Sequence, residues 1–117
     1  MTYIGDDHAR MARSYAAQAG GYKRRGEREA LAAAESYASA RNVREAARWL
    51  TGHPDMWRNG FTPAEREASA RAHERIGDTY LRMSFRADVM VAHSLDMAAR
   101  YRVLRDRRAA RLAELDA

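Results

Sequence analysis

An all-α fold, a small helical bundle or a long helical hairpin with a dominant C-terminal helix, is what this sequence predicts, and three observations predict it. Apolar and small residues recur at steps of three and four through most of the 117 residues, the period of a helix and not of a strand. The two prolines, Pro54 and Pro63, stand close together, which confines the strongest helix breakers to one short stretch. Thr62-Pro63-Ala64-Glu65 supplies an N-cap, a proline at the first helical position and an acid at the third, a start signal after which no proline or asparagine follows.

The first element rests on a stripe of Ile4, His8, Met11, Tyr15, Ala19, Tyr22, Gly26, Ala30, Ala33 and Tyr37. It predicts a helix over about 6–40, either continuous or broken near 26, because each of Gly20, Gly21 and Gly26 costs about 1 kcal/mol relative to alanine in a helix interior. The stripe keeps phase through the glycines, which favours continuity. Asn42-Val43-Arg44-Glu45 reads as a new cap and opens a short helix over 43–51, ended by Gly52-His53-Pro54. Met56-Trp57-Arg58-Asn59-Gly60-Phe61 is then a loop whose large side chains are expected to tuck beneath the helices as a plug, together with Trp49. From Thr62 a helix over 63–115 follows, about 75 Å long at ~1.5 Å per residue, with a kink or break expected at Gly77-Asp78, its one glycine. The whole, 1–117, reads as a single helical domain.

Within the long helix Ile76, Met83, Met90, Met97 and Leu104 repeat every seven residues, accompanied by Tyr80, Ala87, Val91, Ala98 and Tyr101, the pattern of a bundle or coiled-coil seam. A second apolar set, Leu81, Phe85, Ala92, Leu95 and Ala99, lies roughly opposite. A helix apolar on two sides needs cover on two sides, so Leu81, Phe85 and Leu95 are expected to form a face for a second copy of the chain. The sequence also echoes itself. A shift of 58 aligns Ala12-Arg13, Tyr22, Arg24, Arg28, Ala34, Ser36, Ala40 and Arg44 with Ala70-Arg71, Tyr80, Arg82, Arg86, Ala92, Ser94, Ala98 and Arg102. A chain rich in alanine and arginine yields such matches by chance, so no duplication is inferred.

Charged residues make up 32% and apolar ones 46%, a globular balance and not a disordered one. No apolar run reaches the roughly 20 residues of a membrane span. The opening residues have neither a basic nor an apolar leader region, so the expected compartment is the cytoplasm. The chain has no cysteine, which removes disulfides, thiolate metal sites and thiol catalysis. Of the 21 basic residues all but Lys23 are arginine, and the net charge is +5. Arg100, Arg102, Arg105, Arg107, Arg108 and Arg111 stand against Asp106 alone, while the other fifteen basic and fifteen acidic residues cancel. Along the sequence the net charge therefore lies near the C-terminus.

No motif for chemistry emerges. His8, His53, His73 and His93 are scattered, without the spacing that makes histidines and carboxylates converge on a metal. Asp6-Asp7-His8 and His73-Glu74 are adjacent pairs, which point apart on a helix. His93-Ser94 diverge for the same reason, and no phosphate loop, dinucleotide fingerprint or nucleophile elbow is present. No cofactor, metal or catalytic residue is expected.

Val43 to Arg58, with Glu45-Ala46-Ala47 ahead of Leu50 and Gly52, resembles a helix-turn-helix of the excisionase type. It departs from that pattern by an extra residue in the turn and by a second helix cut off at Gly60. Trp57-Arg58-Asn59-Gly60 is similar to the Trp-x-Gly turn of small secreted helical hairpins. Here the spacing is one residue longer, and Arg105 stands where the tyrosine-to-acid motif after Tyr101 would need an acid, so that reading is set aside. The sharpest remaining feature is a strip of Arg82, Arg86, His93, Arg100, Arg107, Arg108 and Arg111, suited to an acidic partner or to phosphates. The sequence thus predicts a non-enzymatic oligomeric helical module that binds another protein, of the adaptor or inhibitor type, its small size fitting a product of a mobile element. The alternative is a basic accessory protein that binds DNA or RNA through the arginine face or a degenerate helix-turn-helix at 43–58.

Overall fold

In a computed structural model the chain folds into two long helices joined by a short connection. Residues 4–117 are described, with side chains from Asp7 on, so the side chains of Ile4 and Asp6 lie outside the described set. Helix α1 spans Ile4–Thr51 and has 48 residues. A single 3-10 turn, Pro54–Met56, follows, and α2 spans Pro63–Asp116 with 54 residues. Among the described residues the β pairing is one isolated bridge, Arg58 with Phe61. None of the described helices is long and apolar enough to cross a membrane.

α1 runs unbroken through Gly20, Gly21 and Gly26, the continuous alternative that the phase of its stripe favours, and it also runs through Asn42, so the segment 43–51 is its last part and not the separate helix predicted. The reason is visible in what α1 buries. Ala12, Ala19, Gly26, Ala33, Ala40 and Ala47 are all buried, seven residues apart along the whole helix. A cap at Asn42 is worth about 1 kcal/mol, and breaking there would throw Ala47 and Leu50 out of register with Ala33 and Ala40. The proposed kink at Gly77 is likewise absent as a break, since α2 continues past it.

The facing column on α2 is Ala70, Gly77, Ser84 and Ala98, all buried, with Val91 half-buried between them. The seam is therefore made of small residues on both helices, which lets two backbones approach closely. The predicted seam of Ile76, Met83, Met90, Met97 and Leu104 sits one step round the helix. Ile76, Met90 and Leu104 are exposed, and Met83 and Met97 are half-buried. Side chains of that size would hold the helices apart, whereas alanine and glycine fit. The predicted companions do belong to the seam, with Ala87 and Ala98 buried and Tyr80, Val91 and Tyr101 half-buried.

Two compact units result, Met1–Gly26 with Arg86–Ala117, and Glu27–Phe85. In the first, Tyr101 stacks on Tyr15 at 5.8 Å with an interplanar angle of 13°, and the His8 ring lies tilted to it at 6.1 Å. Ala12, Ala19, Ala87, Ser94 and Ala98 are buried in the same unit.

In the second unit Tyr37 lies across Gly77, where an added Cβ would come within 2.8 Å of the ring. Its hydroxyl donates to Asp78. One α1 turn pair further on, Arg44 reaches across to Glu67 at 3.0 Å and to Glu74. The rising numbers on α1 meet falling numbers on α2, so the helices of this unit run antiparallel.

The connection is tightly bonded. The Trp57 indole N–H donates to the Leu50 carbonyl at 2.6 Å, closing the open end of α1. The His53 ring lies on Trp49 at 4.0 Å, and its Nδ1 is 2.7 Å from the Trp49 carbonyl. Gly60 has a φ of 85°, a conformation natural to glycine. The cap at Thr62 is as predicted. The Glu65 N–H donates to Thr62 Oγ1 at 3.3 Å, and the Thr62 hydroxyl donates to Glu65 at 2.8 Å. The second carboxylate oxygen of Glu65 accepts from the Gly60 N–H at 2.7 Å. This bracing fixes the loop, but it does not bury a plug. Trp49, Met56, Trp57 and Phe61 are all exposed, Trp49 and Phe61 by half or more. Trp49, Met56 and Phe61 stand around an open concavity with Leu50 instead of closing over the helix ends.

Candidate interaction surfaces

The arginine strip divides once α2 is placed. Arg86, His93, Arg100 and Arg107 follow one another at seven-residue steps, and all four are exposed in the first unit. Arg111 stands one turn beyond Arg107 and is exposed as well. Arg108 differs, since it falls seven residues after Tyr101 in the seam column and is half-buried. Arg82 is exposed but belongs to the second unit, where its guanidinium approaches the Thr79 hydroxyl at 3.4 Å. Arg100 is paired with Asp96 at 3.0 Å and Arg105 with Asp106 at 3.0 Å. Both are exposed neighbours along α2, the kind of pair worth at most about 1 kcal/mol.

The structure adds residues that spacing along the chain did not single out. Arg13, from α1, joins Arg102 and Arg105, from α2, around a shallow concavity whose floor is Ala9, Ala12 and Ala16. Arg13 is far from the other two in sequence, so no local pattern links them. Counting by unit changes the charge map too. The first unit holds twelve basic and seven acidic residues, a net +5, and the second holds nine of each. Arg10, Arg13, Lys23, Arg24 and Arg25 are thus gathered with the C-terminal arginines.

In the second unit the connection presents a concavity of about 260 Å³ lined by Trp49, Leu50, Met56, Arg58 and Phe61. The Arg66 guanidinium covers the Phe61 ring at 5.0 Å, a cation–π contact that holds the ring in place. The predicted oligomer face is open. Leu81 and Phe85, in the second unit, are 36% and 59% exposed, and Leu95, in the first, is 49% exposed. Their own chain does not cover them.

The polar contacts between helices act as struts. Hydrogen bonds to Glu74 and Glu67 raise the Arg44 pKa above its ordinary value. The Tyr37 phenol is raised as well, first by its hydrogen bond to Asp78, then by partial desolvation and the charge of that carboxylate. Ser94 is buried in the seam while His93 is exposed, so the two diverge as their adjacency requires. Among the described residues no three histidine, aspartate or glutamate side chains gather as a metal cluster.

The segment 43–58 is not a helix-turn-helix. It comprises the end of α1 and one 3-10 turn, and a recognition helix has no counterpart there because Gly60 and the bonded loop end the chain's turn before one can form. No protein-family model, curated protein or solved structure matches this chain.

Proposed function

We propose that this protein is a non-enzymatic helical interaction module that works as a homo-oligomer, a second copy covering the Leu81 and Phe85 face. One observation carries the reading. The seam between the helices consumes alanine, glycine and serine, while Leu81, Phe85 and other large apolar residues stay outside. The braced loop adds a rigid platform rich in tryptophan, phenylalanine, methionine and arginine, the residue types that anchor protein partners.

Light scattering across a concentration series tests the proposal. The expected result is a mass at least twice 13.3 kDa, falling to the monomer for Phe85→Asp with helicity retained. A monomeric mass for the unaltered chain at every concentration overturns it.

A further inference from the structure

We propose that the first unit binds the phosphate backbone of double-stranded DNA, without base specificity. The inference is independent of self-association. It starts from the charge map, in which the first unit carries the whole net +5 and the second carries none. Folding builds that concentration, because basic residues near the two ends of the sequence fall in one unit.

The arrangement suits a polyanion. Arg86, His93, Arg100 and Arg107 are exposed at seven-residue steps on α2, about 10.5 Å apart at ~1.5 Å per residue. A duplex offers one negative charge per ~1.7 Å of its axis, so each step of this column has several phosphates within reach of a long side chain. Arg13, Arg102 and Arg105 add a second convergence over Ala9, Ala12 and Ala16, where small side chains let a backbone come close. The pairs Arg100–Asp96 and Arg105–Asp106 are exposed and exchange readily for phosphate contacts.

One feature favours a duplex over a single strand. Tyr101, the aromatic residue among these arginines, is stacked on Tyr15 and faces His8. It is therefore engaged within its own unit and does not offer a platform for unpaired bases, which single-strand recognition requires. Since the segment 43–58 forms no recognition helix, base readout has no element to carry it.

The test is fluorescence anisotropy of a short labelled duplex titrated with the full chain at about 50 and 200 mM salt. Engagement of roughly four phosphates predicts a log–log salt slope near −3.6 and an affinity about 100-fold weaker at the higher salt. Arg100→Gln with Arg107→Gln should reduce the slope by about 2, with circular dichroism unchanged. Arg71→Gln with Arg75→Gln, in the neutral unit, should leave binding as it was. No binding at low salt, equal losses from the two double variants, or tighter binding to a single strand or to polyglutamate of the same charge would each overturn the proposal.

Discussion

Replacing Gly77 by alanine inverts the usual consequence of such a change. In an ordinary helix interior Gly→Ala stabilises by about 1 kcal/mol, because alanine loses less backbone entropy. At Gly77 the new Cβ would stand 2.8 Å from Tyr37 Cε1 and 3.0 Å from both Cδ1 and Cζ, against the ~3.5–4.0 Å at which carbon atoms rest. The ring cannot step aside freely, since its hydroxyl is bonded to Asp78 on the next residue. Overpacking of this kind costs about 1–3 kcal/mol. Set against the propensity gain, Gly77→Ala is expected to destabilise by roughly 1 kcal/mol, lowering Tm by about 4–8 °C. Gly21 supplies the control, because a Cβ there meets nothing within 4 Å, and Gly21→Ala should raise Tm by a similar amount. Both are read by thermal melts followed by circular dichroism at one fixed protein concentration, since the proposed self-association would make Tm depend on concentration. In a Tyr37→Ala background Gly77→Ala should become stabilising. If Gly77→Ala raises Tm in the unaltered chain as Gly21→Ala does, the close approach of Tyr37 is refuted.

Two further outcomes follow from the connection and from the Tyr37 phenol. Thr62→Ala removes the cap and should cost about 1 kcal/mol, and Gly60→Ala forces alanine to the φ of 85° at a cost of about 1–2 kcal/mol; urea titrations measure both, and a neutral result for either would mean the loop is not braced as described. Tyr37 has a raised folded-state pKa, so the stability linked to it is complete below the ordinary tyrosine value near 10 and is lost as pH rises through the folded value. An ultraviolet titration of tyrosinate should show one late-ionising group that Asp78→Asn brings back to the others, and a single shared transition before the substitution would contradict the hydrogen bond.

How far the fold could be read depended on whether a signal was local. Thr62, Pro63 and Glu65 lie within one turn of each other, and the structure realises their cap as written. Asn42 and Glu45 give the same kind of signal, yet it fails because the buried alanine column through Ala40 and Ala47 outweighs one cap. The seam was misplaced for a related reason. Large apolar residues draw the eye to Met83, Met90 and Met97, whereas the residues that bring two helices closest are the smallest ones. A trace of the true seam was present in the 58-residue echo, which carries Ala12, Ala19, Gly26, Ala33 and Ala40 onto Ala70, Gly77, Ser84, Val91 and Ala98, column onto column. The aromatic loop was legible as a loop but not as a surface, because the exposure of Trp49, Trp57 and Phe61 is set by how the folded connection lies against α1, which no local pattern encodes. Of the arginine strip, the seven-residue column was legible and the convergence of Arg13 with Arg102 was not, since only folding joins them.

The neutral and basic units suit different partners, and electrostatics says which contact goes where. Two copies meeting through their first units would oppose net +5 to +5, a repulsion that grows as salt is lowered. Two copies meeting through Leu81 and Phe85 would oppose surfaces from units with no net charge, and the energy gained there comes from apolar area, which salt does not screen. The proposed self-association and the proposed DNA binding should therefore answer to different variables. Raising salt from about 50 to 200 mM should leave the oligomer intact while releasing the duplex, whereas Phe85→Asp should dissolve the oligomer and leave each chain its full set of phosphate contacts. A protein in which salt dissociated the subunits as readily as the duplex would have its arginines at the subunit contact, and the assignment of Leu81 and Phe85 to that contact would fall.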